Sequence, residues 1–404
     1  MKIDDQVDLL MKGTEYGDEA LQEAMRQELK QRLLEAEAEK RPLRVYCGYD
    51  PRTTDLHLGH TMTMRKLRQF QDLGHQAIFV IGTFTSLIGD PSDKDVLRKQ
   101  LAQEEVERNA RTYAEQAFRV LDRERTVVRY NAEWLSELGF AELIQLASNF
   151  TIQQFLTREN FRNRWEKGDA IYLHETFYSI MQGYDAYSLK ADVQVGGTDQ
   201  LFNIITAARK LMAFLGEKPN VGIITGILPG TDGVIRMSKS LGNHIPLNTS
   251  PADMYGKVMS LPDIAMGAYF RLVTGWTPPE IADIETGIES GALNPRDIKM
   301  KLAREVVGIY WGEDEARESE TGFIRLFQDK EIPDDIPVFR LGPEQTTLDV
   351  LEAAGLVSTR SDGRRLMEQN GVRLDDRILK DPNEPFPGEG VLRVGKRKFV
   401  RIAR

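Results

Sequence analysis

At 404 residues and 45.9 kDa the chain has room for two or three domains of ~150 residues each, and its 41% hydrophobic and 28% charged residues exclude a chain-wide disordered polymer. No apolar run approaches the ~20 residues of a membrane helix, and one cysteine, Cys47, excludes a disulfide framework or multi-cysteine metal centre. The formal charge is −9, but the 64 residues from Leu341 to Arg404 carry +2 and the rest −11, an asymmetry that points to a localised anionic partner or to a charged edge strand.

The N-terminus carries Asp4, Asp5 and Asp8 where a signal peptide would be basic and then apolar, so the expected location is the cytoplasm, with no membrane contact. Leu21, Met25, Leu29 and Leu33 recur at four-residue spacing between Glu19 and Glu39 and predict an amphipathic helix, closing an N-terminal helical segment over 1–40. Leu43 to Gly48 predicts a strand that breaks at Asp50-Pro51. His60 to Leu73 predicts a helix with Gly74 as its stop, and Ala77 to Gly82 a strand covered on both faces. Strand, loop, helix and strand in about 40 residues form a βαβ unit and imply a parallel sheet.

Phe140 to Leu189 reads as a helical insertion (about 140–190), and Val221 to Gly226 as a further strand of the same 41–249 domain. From Ser250 to about 330 the chain turns helical, with Thr277-Pro278 and Asn294-Pro295 as capped helix starts. Pro333, Pro337 and Pro343 mark a linker over 331–343, and 344–404 reads as a small separate domain. The expected fold class is α/β: a Rossmann-like parallel-sheet domain with a helical insertion, then an α-helical domain and a small α+β domain.

Two of the five histidines, His57 and His60, stand in His57-Leu58-Gly59-His60, where the first strand hands over to a helix. Ligands of open parallel sheets bind beyond the carboxyl ends of the strands, and helix N-termini attract phosphate. Imidazoles there can donate to phosphate oxygens without permanent charge, and Gly59 lets a flat ring approach the backbone. A second cluster, Arg236-Met237-Ser238-Lys239-Ser240, is a cationic, hydroxyl-bearing loop suited to closing over a leaving polyphosphate.

Together these segments resemble the HIGH and KMSKS signatures of class I aminoacyl-tRNA synthetases. The flanking residues are specific: Tyr46-Cys47-Gly48 with Asp50-Pro51, Leu87-Ile88-Gly89-Asp90-Pro91-Ser92, Tyr178 with Gln182 and Asp185, and Gly196-Gly197-Thr198-Asp199-Gln200. From about Leu43 to Asn243 the chain resembles the bacterial tyrosyl-tRNA synthetase family. The resemblance implies that Tyr46 and Asp185 hold a phenolic hydroxyl, that Asp90, Tyr178 and Gln182 hold an α-ammonium, and that Gln200 lies near the substrate carboxylate. It implies a ribose contact from Asp199 and further ATP contacts from Cys47, Gly48, Asp50, His57, Gly59, His60, Met237, Ser238 and Lys239. Lys94 and Arg98 match a pair acting on pyrophosphate with His57, His60, Arg236 and Lys239. Three departures stand out: Arg52 for a threonine, Arg236 for the first lysine of KMSKS, and Leu201 for a tryptophan.

The implied activity is tyrosine activation by ATP, with Mg²⁺ carried on the triphosphate and no protein-bound cofactor, followed by transfer to tRNA(Tyr). A phenol in a cleft needs a donor and an acceptor, which a tyrosine and a carboxylate supply, and phenylalanine would leave them unpaired. Residues after Leu341 resemble the S4-type RNA-binding module, with Arg364, Arg365, Lys396, Arg397 and Lys398 as backbone-contacting cations. A homodimer through the insertion is also implied. A tryptophanyl synthetase, a catalytically silent RNA-binding scaffold and a small-molecule adenylyltransferase are the alternatives.

Overall fold

The computed structural model describes residues 1–51, 56–91, 103–327, 336–357, 359–375, 377–395 and 398–403. Arg52, Lys94, Arg98, Lys396 and Arg397 lie outside them. The first helices are α1 (Ile3–Met11) and α2 (Glu19–Ala38). Asp18 caps α2 by accepting from Leu21 N at 2.8 Å, and Met25, Leu29 and Leu33 are buried. The βαβ unit follows as β1 (Arg44–Tyr49), α3 (Thr61–Asp72) and β2 (Gln76–Ile81), and Gly74 ends α3 in a left-handed turn at φ +92°.

Next come α4 (Gln103–Ala117) and β3 (Thr126–Tyr130), then the insertion: α5 (Ala132–Leu135), α6 (Phe140–Ala147), α7 (Ile152–Leu156), α8 (Glu159–Lys167) and α9 (Leu173–Ser188). Strand β4 (Val193–Gly197) leads through a π-helix, Phe202–Ala208, into α10 (Arg209–Phe214) and β5 (Val221–Thr225). All five strands are parallel in the order β3-β2-β1-β4-β5. The chain leaves β1 toward β2 on one side and returns as β4 on the other, so a crevice opens where β1 and β4 end.

Helices α11 (Pro251–Met259), α12 (Met266–Leu272), α13 (Pro278–Glu289), α14 (Pro295–Trp311) and α15 (Glu313–Phe327) follow. Thr277 and Asn294 cap α13 and α14 as their Pro-led starts predict. Through residue 316 this stretch forms one compact unit with the sheet: Thr61 Oγ1 and Tyr310 OH lie 2.6 Å apart, and Lys12 Nζ donates to Thr274 O and Trp276 O.

The second unit, Arg317–Arg404, holds β6 (Val338–Arg340), α16 (Thr347–Ala353), α17 (Arg360–Glu368), β7 (Val372–Leu374), β8 (Arg377–Ile378), β9 (Gly390–Val394) and β10 (Lys398–Ala403). Its sheet runs β6-β10-β9-β7-β8 over a core that includes Leu348, Leu351, Met367, Leu392 and Val400. Two sequence expectations change here. Val338–Arg340, read as linker, pairs in parallel with β10, and the basic C-terminal segment is an interior strand between β6 and β9, not a charged edge. Among the described residues no helix is long and apolar enough to cross a membrane.

Candidate active site

A cavity of about 610 Å³, large enough for a ligand of drug size or more, lies at the carboxyl ends of β1 and β4. One wall is the turn after β1. His57 precedes a 3₁₀ turn, Leu58–His60, that runs into α3. His57 N donates to His60 Nδ1 at 3.2 Å, so Nδ1 of His60 is an acceptor and its neutral ring carries the hydrogen on Nε2. The two rings stack with centroids 3.8 Å apart. Burial, then the neighbouring His60, His244 and Arg236, pushes His57 down to about 3; burial, then Arg236 and His244, pushes His60 down to about 4. Both are neutral donors at pH 7. The flat ring lying against Gly59 is that of His57, whose Nδ1 and Cε1 would stand 3.1 Å from a Cβ there.

The Arg236–Ser240 loop forms the facing wall, with Arg236, Met237, Ser238 and Lys239 lining the cavity. Its base is tied by Asn243, whose Oδ1 accepts from Ser238 N at 2.8 Å and whose Nδ2 donates to Arg236 O at 3.2 Å and to Asp232. Gly230 is required beside it, because a Cβ there would collide with the Asn243 side chain. The loop base is also joined to the histidine turn: Leu58 N donates to Ile245 O at 3.0 Å, and His244 packs edge-on to His57 at 6.0 Å.

Helix α9 supplies the inner end, through Tyr178, Gln182 and Asp185. Asp185 is 3% exposed and accepts from Trp134 Nε1 at 2.7 Å and Asn131 Nδ2 at 3.4 Å. Burial pushes its carboxyl up to about 8, against those hydrogen bonds. Among the described residues Gln182 Oε1 is a buried acceptor with no hydrogen-bond partner, open to a donor from a ligand. Tyr178 OH donates to Asp50 Oδ2 at 3.2 Å, and Thr85 Oγ1 donates to Asp50 Oδ1 at 2.8 Å. Beyond β4, Gln200 Nε2 donates to Asp90 Oδ2 at 2.6 Å and Asp199 Oδ2 at 3.3 Å.

The structure thus brings Cys47, Gly48, Asp50, His57, Gly59, His60, Asp90, Tyr178, Gln182, Asp185, Asp199, Gln200 and the Arg236–Lys239 loop into one cavity. It does not place Tyr46 on the wall. That residue is fully buried among Ile78, Val80, Ala186, Leu189 and Met212, and its hydroxyl donates to Gln182 O at 3.3 Å, so it braces α9 from behind. Tyr46 faces Asp185 electrostatically, while the hydrogen bonds that Asp185 accepts come from Trp134 and Asn131. These two, with His244, carried no signal in the sequence, since each acts through a neighbour distant in the chain, and Asn243, only five residues from Ser238, lies just outside the loop motif. In the other unit Arg364 and Arg365 are exposed on α17, and Lys398 Nζ donates to Leu356 O at 2.5 Å.

Residues 38–328 match the family "tRNA synthetases class I (W and Y)", and residues 348–391 match the S4 domain. The tyrosine–tRNA ligase of Moorella thermoacetica is 46% identical over 379 residues, spanning 93% of this chain and 92% of the relative. Tyrosine–tRNA ligase 2 of Clostridium acetobutylicum is 43% identical over 401 residues, 99% of this chain and 98% of the relative. In fold, the crystal structure of tyrosyl-tRNA synthetase from Archaeoglobus fulgidus complexed with L-tyrosine is similar with a TM-score of 0.59 and 21% identity, covering 79% of this chain and 100% of that one. A class I synthetase match over residues 38–328, an S4 match after it, and 43–46% identity to tyrosine–tRNA ligases over more than nine-tenths of the chain together mean that the chain belongs to the class I tRNA synthetases, within them to the bacterial tyrosyl-tRNA synthetases.

Proposed function

We propose that the β1/β4 cavity activates L-tyrosine with its phenol at Asp185 and its ammonium among Gln182, Tyr178 and Asp90. ATP lies across Cys47, Gly48, Asp50 and Gly59, with its ribose at Asp199 and its phosphates between His57, His60, Arg236 and Lys239. The carboxylate oxygen of tyrosine attacks the α-phosphorus in line. The bond from that phosphorus to the bridging oxygen breaks, and pyrophosphate leaves with the electron pair. The attacking group is already ionised, so no enzyme base is needed, and positioning with charge stabilisation supplies the rate. His60 contributes a neutral Nε2–H, while Arg236 and Lys239 contribute charge. Mg²⁺ arrives on the triphosphate as part of the substrate, and Lys94 and Arg98 act on pyrophosphate with the loop. A hydroxyl of the terminal adenosine of tRNA(Tyr) then attacks the tyrosyl carbonyl, and AMP leaves.

The observation that carries this reading is that a buried, hydrogen-bonded carboxyl and an orphaned amide oxygen share one cavity with neutral histidine donors and a cationic loop. The helices from Ser250 to about 330 serve the anticodon side. Arg364, Arg365, Lys396, Arg397 and Lys398 bind the tRNA backbone electrostatically. Phe140, Ile144, Ile152, Trp165 and Leu173 of the insertion are each more than half exposed, which supports a homodimer formed through it. The cytoplasm is the compartment proposed for this work.

The test is pyrophosphate exchange with each amino acid. Exchange that depends on tyrosine is the expected result, and exchange with none of them would leave the RNA-binding scaffold as the better reading. His60→Ala should slow adenylate formation far more than it weakens tyrosine binding; equal effects would refute the role given to His60.

A further inference from the structure

Four hydrogen bonds run from the insertion to the acids of the cavity. Arg158, at the start of α8 and 6% exposed, donates from Nη1 to Ser179 Oγ on α9 at 2.9 Å. Ser179 Oγ donates to Asn203 Oδ1 at 2.7 Å, Asn203 Nδ2 donates to Gln200 Oε1 at 2.8 Å, and Gln200 Nε2 donates to Asp90 Oδ2 at 2.6 Å. Ser179 and Asn203 are fully buried. The Arg158 guanidinium lies over the rings of Phe161 and Phe202, at 5.0 and 5.4 Å. Two residues along α8, Asn160 Nδ2 donates to Pro91 O at 2.5 Å, beside Asp90.

Each link has a definite direction: a guanidinium has only donors, so the Ser179 oxygen accepts from it, and the Ser179 hydroxyl in turn donates to Asn203 Oδ1. That fixes the Asn203 amide with its oxygen toward Ser179 and its nitrogen toward Gln200, which in turn fixes Gln200 with its oxygen inward and its nitrogen toward Asp90 and Asp199. The reversed orientation would set the Gln200 oxygen against two carboxylates, so the acids on one side and Asn203 on the other hold the same arrangement. Asn203 reaches Gln200 from the second residue of the π-helix, a winding frequent at functional sites.

We propose that Arg158, Ser179 and Asn203 are positioning residues for tyrosine, locking Gln200 with its amide nitrogen toward Asp90 so that the ammonium and carboxylate of the substrate meet a single arrangement of donors and acceptors. The proposal rests on the tyrosine pose given above. None of the three lines the cavity; Ser179 and Asn203 are tied to it by hydrogen bonds through Gln200, and the Arg158 charge also acts on Asp90 and Asp199.

Steady-state pyrophosphate exchange on the full chain tests it. Ser179→Ala and the isosteric Asn203→Asp should each raise KM for tyrosine about tenfold and leave KM for ATP within twofold. Arg158→Lys, which keeps a donor for Ser179, should stay close to wild type, whereas Arg158→Met should match Ser179→Ala. In a Gln200→Ala background, Ser179→Ala should change tyrosine affinity, read by equilibrium dialysis, by less than twofold. Wild-type tyrosine KM in Ser179→Ala, a parallel rise in both KM values, or the full penalty repeated without Gln200 would overturn the relay. Absence of tyrosine-dependent exchange in the wild type would instead overturn the underlying reading of the site.

Discussion

Asp185→Asn isolates what burial does to the inner end of the cavity. The carboxyl is pushed up to about 8 in the fold, against ~3.9 in an unfolded chain, so the folded state holds its proton over a range where the unfolded state has lost it. A raised folded pKa contributes stability that is fully present below about pH 4 and is lost as pH rises through about 8. Between pH 6 and pH 9 that linkage removes about 3 kcal/mol from this group alone, taking about 8 for the folded value. With ~2.1 cal mol⁻¹ K⁻¹ of unfolding entropy per residue over a first unit that ends at residue 316, the loss corresponds to about 4–5 °C. Asparagine keeps an oxygen for Trp134 Nε1–H and does not titrate. The expected result of thermal unfolding at pH 6, 7, 8 and 9 is a wild-type Tm that falls by about 4–5 °C more than that of Asp185→Asn, because other titrating groups cancel in the comparison. A constant gap between the two proteins across the range would mean that Asp185 is ionised throughout, and the burial argument would fail.

Trp134→Phe removes the 2.7 Å donor to Asp185; at ~1 kcal/mol for a hydrogen bond to a neutral carboxyl, tyrosine KM should rise about fivefold with ATP KM unchanged, as exchange kinetics will show. Asn243→Ala unties the Arg236–Ser240 loop and should lower kcat for adenylate formation by roughly tenfold without moving tyrosine affinity, measured by single-turnover kinetics. Glu175→Gln leaves Arg164 charged in an interior where the pair is 2% and 4% exposed, and should lower Tm in differential scanning by an amount equivalent to about 3 kcal/mol.

The βαβ unit and the capped helices were legible because their causes are local: an apolar run, a periodic face, a glycine stop, a proline after an N-cap. Strands β3 and β4 were not. Thr126–Tyr130 is a half-exposed outer strand with Arg129 within it, and Val193–Gly197 is short and ends in two glycines, so neither has a pattern that separates it from a loop. The same limit explains the linker: Val338–Arg340 becomes a strand only because β10 stands beside it.

For the site, the chain alone offered the candidate groups, because the histidine turn and the cationic loop are contiguous motifs and each acid stands in a short motif of its own. Which partner each group meets was decided by tertiary structure. Tyr46 and Cys47 are adjacent on one strand and so project to opposite faces; only the packing of α9 against β1 makes one a wall residue and the other a brace. Asp185 takes its donors from residues 51 and 54 positions away, and hydrogen bonds over that separation depend on how elements pack, a quantity that no local pattern of residues contains.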